Sequence, residues 1–137
     1  MIDFEHIPVR VLLVEDHEDT REGYAAYLRL AGLHVDTAGN GLEAVQKTRR
    51  LQPDIVVMDL MMPKMDGWDA IRLLKADERT RFIPVIALTA QIVDGGEDAR
   101  ARAAGFDRFC RKPCPPSRLI ETLQDVLRAS RASLASA

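Results

Sequence analysis

Apolar residues along this chain fall into short blocks separated by longer stretches of helical spacing. Val9 to Val14 is a β-branched and leucine run, and Tyr24, Tyr27, Leu28 and Ala31 then recur at helical intervals before Gly32, the pattern of a strand followed by a helix. The alternation repeats. Leu33 to Ala38 predicts a second strand, Leu42 to Leu51 a second helix, and Ile55 to Met58, bounded by Pro53, a third strand. A helix over 67–76 turns Ala70, Ile71 and Leu74 inward. Phe82 to Leu88 predicts a fourth strand, 97–104 a weaker helix, and Phe106 to Cys110 a fifth strand. The last helix starts near Pro115 and buries Leu119, Ile120, Leu123, Val126 and Leu127.

Strict strand–helix alternation implies parallel strands joined by right-handed helical crossovers, with helices on both faces of the sheet. Near-continuous apolar strands suit that double burial. Five units are too few for an eight-unit barrel, which leaves an open, doubly wound α/β sheet. The expected organisation is a lead-in over 1–8, one domain over 9–128, and an Ala/Ser-rich tail over 129–137 that frays.

Composition narrows the class. At 137 residues, 47% hydrophobic and 29% charged, the chain matches one folded domain and excludes intrinsic disorder. The net charge of −2 is uneven, with the acid excess upstream of residue 97 and a basic excess after it. No Lys/Arg run interleaved with aromatics occurs, and Arg49-Arg50 is too short to track phosphates, so direct nucleic-acid binding is not expected. The apolar runs fall far short of the roughly 18–20 residues that span a bilayer, and the N-terminus lacks a secretory pattern. A cytoplasmic protein without a membrane partner is expected. Cys110 and Cys114 are too few for a disulfide framework, and no Cys or His is expected to build a softer zinc or copper site.

In open parallel sheets, ligands bind beyond the carboxyl ends of the strands. There the first run leads into Glu15-Asp16, the third into Asp59, the fourth into Thr89 and the fifth, past Arg111, into Lys112. Parallel strands bring these ends to one rim, so three carboxylates, a hydroxyl and an ammonium share a cleft. Crowded carboxylates repel unless a cation neutralises them. Mg²⁺ suits an oxygen-rich site that keeps waters and admits a phosphate oxygen. With Asp16 and Asp59 on the metal, Asp59 can still offer an oxygen as a nucleophile and form an acyl phosphate, while Thr89 and Lys112 neutralise the phosphoryl oxygens. Taken singly, each residue could be a helix cap or a solvated charge; taken together at successive strand ends, they specify chemistry.

These residues resemble the receiver domain of bacterial two-component response regulators, a CheY-like family, over about residues 9–128. The segments VLLVEDHEDTREG, DIVVMDLMMPKMDG, IPVIALTA and GFDRFCRKPC carry the resemblance. It implies a flavodoxin-like fold with strand order 2-1-3-4-5 and five helices, and a phosphorylation-activated switch in which Asp59 accepts a phosphoryl group from a histidine kinase or phosphotransfer protein. Glu15, Asp16, Asp59 and the Met61 backbone carbonyl become the metal group, for Mg²⁺ with Mn²⁺ as an alternative. Thr89 and Phe109 become the switch pair, Lys112 the active lysine, and Lys112-Pro113 a cis bond. Met61 and Gln91 would border the path of the hydrolytic water, giving self-dephosphorylation slower than in fast chemotaxis-type receivers.

Further expectations concern the surroundings. Gly95-Gly96 predicts a late-starting or loosely held fourth helix. Cys110 and Cys114 are expected to be small buried hydrophobes; the alternative is a redox switch beside the active lysine, in which Arg111 and Lys112 lower the Cys114 pKa. Trp68, Met62 and Met65 are expected to pack beside the Asp59 loop. The face from the fourth helix to the last, with Arg100, Arg102, Arg108 and Arg118, is expected to meet a downstream protein or a second copy. A stand-alone regulator and a receiver excised from a hybrid kinase both fit. A dehalogenase-like Asp phosphatase would want a second Asp where Met61 stands, and a flavodoxin would want a hydroxyl-rich phosphate loop where the acids stand.

Overall fold

The computed structural model describes residues 8–90 and 97–136. In chain order they form β1 (Arg10–Val14), α1 (Glu18–Leu30), β2 (His34–Ala38), α2 (Gly41–Leu51), β3 (Ile55–Asp59), α3 (Gly67–Ala76), β4 (Val85–Thr89), α4 (Glu97–Ala104), β5 (Arg108–Arg111) and α5 (Pro116–Ser136). The five strands pair in parallel in the order β2-β1-β3-β4-β5. The doubly wound α/β architecture is therefore present.

The sheet works because successive strand side chains point to opposite faces. Val11 and Leu13, Ile55 and Val57, and Ile86 and Leu88 join one core with Ala25 and Leu28 of α1 and Leu119, Leu123, Val126 and Leu127 of α5. Leu12 and Val14, Val56 and Met58, and Val85 and Ala87 join a second core with Val45 of α2, Ile71 and Leu74 of α3 and Ala101 of α4. Both faces of β1, β3 and β4 are thus dry, which is why these strands carry almost no polar residue before their carboxyl ends.

Several boundaries differ from the sequence expectation. Tyr27 faces outward on α1, at 44% exposure, because the buried stripe runs through Ala25 and Leu28. Phe82 is also exposed, lying before β4 beneath the Arg81 guanidinium, 4.8 Å from the ring centroid. Strand β4 begins only after Pro84, whose carbonyl accepts from the Val56 N–H at 3.0 Å. Phe106 is buried but precedes β5, where Asp107 engages Val85 through both its N–H and its carboxylate. The helix α5 continues to Ser136, through the segment expected to be a tail, since Ala is the best helix former and neither Gly nor Pro interrupts it. Gly95-Gly96 and Gln91 lie outside the described residues.

The start of α3 is pressed against the end of β3. Asp66 caps the helix by accepting the Asp69 N–H at 2.9 Å, and the Gly67 N–H donates to the Leu60 carbonyl at 3.0 Å. A Cβ on Gly67 would lie 2.5 Å from the Asp59 carbonyl oxygen, so only a residue without a side chain permits this approach. Gly67→Ala is expected to destabilise the fold by roughly 1–3 kcal/mol through overpacking. Urea unfolding will read this as a lower midpoint at an unchanged slope.

Candidate functional site

Strand register builds the site. Val14 pairs with Met58, Asp59 with Leu88 and Thr89 with Arg111. Glu15, Asp59 and the residue after Thr89's partner therefore sit side by side on the carboxyl rim. The Lys112 N–H donates to the Thr89 carbonyl at 2.8 Å, extending the ladder by one residue beyond β5. By strand alternation Glu15 and Asp59 point to the α1/α5 side, and so does Lys112, two residues after Cys110.

The contacts follow that geometry. Lys112 Nζ lies 2.8 Å from Asp59 Oδ2 and also donates to Glu15 Oε1. Asp59 Oδ1 accepts the Met61 N–H at 2.9 Å, which orients the carboxylate. Glu15 and Thr89 are fully enclosed and Asp59 is 4% exposed. Tyr24 on α1 donates from its hydroxyl to the Cys114 carbonyl at 2.7 Å, tying down the turn that follows the cis Lys112-Pro113 bond. Thus Lys112 is braced from two elements.

Electrostatics explain why these groups need one another. Burial raises the Glu15 carboxyl above its ordinary 4.5, the Lys112 hydrogen bond opposes this, and Asp16 and Asp59 push the same way as burial. For Lys112, burial acts downward, but hydrogen bonds to Asp59 and Glu15 more than offset it and hold the ammonium above 10.5. A base raised on folding contributes stability that is complete below 10.5 and is lost as pH climbs through the folded value. Lys112 is therefore a fixed cation throughout the physiological range.

The donor set fits a divalent cation. Asp16 Oδ1 is buried without a hydrogen-bond partner, an arrangement that leaves a carboxylate oxygen available to an ion. It is adjacent to the Glu15 carboxylate, and the two with His17 place ligand atoms within 4.8 Å of one another. His17 is a residue that sequence reading passed over, having placed no His near the site. Its signal was present in the run Glu15-Asp16-His17, but imidazole direction is not readable from sequence.

The remaining expectations divide. Phe109 is half-buried against the α2–α4 core, as are Met62, Met65 and Trp68, and Trp68 meets Phe106 edge-on at 5.8 Å. Thr89 and Phe109 occupy the same face of the sheet, since Phe109 pairs with Ala87 and Thr89 is two residues further along β4. Met61 is exposed. Cys110 and Cys114 are buried as expected, and the redox alternative is not supported: burial pushes the Cys114 thiol up to about 11, the neighbouring Cys110 thiol adds to this, and only Arg118 opposes it. Arg111 and Lys112 do not activate it, because Cys114 is enclosed in the α1/α5 core.

The fold is an open, doubly wound parallel sheet whose carboxyl rim carries Glu15, Asp16, Asp59, Thr89 and Lys112. The chain matches the response regulator receiver domain over residues 11–124 and belongs to that family, a component of two-component signalling. The polar-differentiation response regulator DivK of Brucella anthropi is 35% identical over 121 residues, covering 88% of this chain and 98% of its own. The receiver domain of the sensor histidine kinase PA1611 of Pseudomonas aeruginosa, solved with a magnesium ion coordinated in the active site cleft, aligns with a TM-score of 0.80 at 32% identity, covering 88% of this chain and 98% of that one. The Vibrio cholerae chemotaxis protein CheY4 aligns with a TM-score of 0.81 at 29% identity, covering 88% and 99% of the two chains.

A raised acid binds its proton more tightly in the folded state than in the unfolded one. In metal-free protein, stability should therefore fall as pH rises from 4.5 through the folded Glu15 value. Glu15→Gln is expected to flatten that descent while retaining an acceptor for Lys112. Urea unfolding in the presence of a chelator, between pH 4.5 and 7, checks it.

Proposed function

We propose that the chain is a phosphorylation-activated switch that receives a phosphoryl group on Asp59 from a histidine kinase or phosphotransfer protein, in a cytoplasmic setting. The observation that carries this reading is the nearly enclosed Asp59 carboxylate, 4% exposed and held 2.8 Å from the Lys112 ammonium. An Asp59 oxygen attacks the phosphorus of a phosphohistidine, the P–O bond forms as the P–N bond breaks, and the imidazole nitrogen leaves with the electron pair. Asp59 is positioned for this by the Met61 N–H. Lys112 pairs with the developing charge on the phosphoryl oxygens, and the Thr89 hydroxyl donates to the same group. Asp16, Asp59 and the Met61 carbonyl, with Glu15 behind them, are the groups that would hold Mg²⁺. A bound Mg²⁺ supplies neutralisation of the equatorial oxygens.

The chain acts on itself alone, as a phospho-accepting signalling domain rather than an enzyme with turnover on other substrates. Phosphorylation adds charge and acceptor oxygens beside Thr89. Drawing Thr89 toward them opens space on the face it shares with Phe109, whose ring lines a cavity of about 190 Å³ with Ala101, Arg102 and Arg108. That couples the pocket to the α4-β5-α5 face, where Arg100, Arg102, Arg108 and Arg118 are exposed, a surface for an acidic downstream protein or a second copy. Similarity to the receiver of a sensor histidine kinase supports a second reading, in which this chain serves as the receiver module of a hybrid kinase or larger regulator.

Incubation with a panel of autophosphorylated kinases should give alkali-labile label on the wild type and none on Asp59→Asn; label that survives the substitution excludes Asp59 as acceptor. Met61→Asn, which replaces an apolar residue with one able to orient water, should speed decay of the acyl phosphate in a single-turnover assay. An unchanged decay removes Met61 from the water path.

A further inference from the structure

Position 17 breaks a local rule. His17 is the N-cap of α1, with φ −80° and ψ 116°, yet its side chain makes no capping hydrogen bond. N-caps favour Ser, Thr, Asp or Asn, whose short side chains satisfy the first free N–H groups. Local choices that conflict with the element they occupy concentrate at functional sites.

The imidazole turns instead toward the acids. Its Nδ1 lies 3.4 Å from Asp16 Oδ1 and 3.8 Å from Glu15 Oε2. Around an octahedral ion with ligands at ~2.1 Å, neighbouring ligand atoms are ~3.0 Å apart and opposite ones ~4.2 Å; both separations fall between these values, so a rotation of the exposed imidazole by a few tenths of an ångström brings the atoms onto one ion. Asp16 Oδ1 is the same buried oxygen that lacks a hydrogen-bond partner. Glu15 Oε2 is held toward His17 by the His17 N–H at 3.4 Å, while Lys112 takes the other Glu15 oxygen. The 75% exposure of the ring leaves it free to adjust to an ion without unpacking the core.

The structure assigns His17 as a nitrogen ligand of the acid-pair cation site, one that shifts the site from Mg²⁺ toward divalent transition ions such as Co²⁺ and Mn²⁺. The physical ground is ligand softness. Mg²⁺ is hard, takes oxygen and gains little from imidazole, whereas Co²⁺ and its neighbours bind imidazole well. This assignment rests on the reading of Asp16 and Asp59 as a divalent-cation site and adds the ion preference. A simple ion pair between a protonated His17 and the acids predicts the opposite effect, since a competing cation would weaken metal binding and its removal would strengthen it.

Calorimetric titration with MgCl₂, MnCl₂ and CoCl₂ at pH 8, where an ordinary imidazole is neutral, tests it on wild type and His17→Ala. His17→Asn, which places a favoured cap at the same position, guards against any loss of folding. The ligand role predicts that both variants lose on the order of tenfold or more in Co²⁺ affinity, with a smaller loss for Mn²⁺ and little change for Mg²⁺. It also predicts a hyperfine-shifted, exchangeable imidazole N–H proton in the Co²⁺ protein that disappears in both variants. Equal changes for all three ions, no change, or tighter binding in the variants overturns the assignment. If wild type binds Co²⁺ through His17 but takes no Mg²⁺, the Mg²⁺ reading fails while the His17 assignment stands.

Discussion

The Lys112 ammonium lies 2.8 Å from Asp59 Oδ2 and also bonds Glu15, and much of the molecule serves to bring these three charges together. Glu15 is fully enclosed, and a buried carboxylate without a partner is costly enough to protonate or to unfold its surroundings. One fixed cation answers that cost. Because Lys112 is 97 residues from Glu15 along the chain, the pairing requires strands β1, β3, β4 and β5 to be in register. The turn after Lys112 is in turn held by the Tyr24 hydroxyl.

Alternation of side chains along the strands explains how the same sheet can host a dry core and a charged rim. Glu15 and Asp59 continue the odd-numbered positions that face α1 and α5, two residues past Leu13 and Val57. They lie at the carboxyl edge of that core, still enclosed. Thr89 and Phe109 fall on the opposite face, with the residues packed against α2, α3 and α4. Asp59 therefore sits at an edge of the sheet from which both cores can be reached. The start of α3 closes on that edge because Gly67 leaves room for the Asp59 carbonyl.

Much of this was legible from residue order. The helix α3 begins and ends where the apolar spacing places it, α4 ends at the expected Ala104, and the buried stripe of α5 contains Leu119, Leu123, Val126 and Leu127. Periodicity failed where exposure is decided by neighbours distant in sequence. Tyr27 has helical spacing but no element among the described residues packs over it, and Phe82 continues an apolar run that the Pro84 boundary detaches from β4. The Cys114 thiol illustrates the same limit, since nearby basic residues suggested activation whereas enclosure in the core raises its pKa to about 11.

By itself the sequence determined the alternating architecture and the identity of the charged residues at the strand ends, because hydrophobic period and strand termination are local properties of the chain. Tertiary structure alone decided which oxygen meets which donor. It gave Asp59 one oxygen for Met61 and one for Lys112, left Asp16 Oδ1 buried without a hydrogen-bond partner, and turned His17 away from capping α1 toward the acids. Those outcomes depend on ångström-scale separations between elements far apart in sequence, and they follow from packing two cores onto one sheet rather than from the preferences of any single segment.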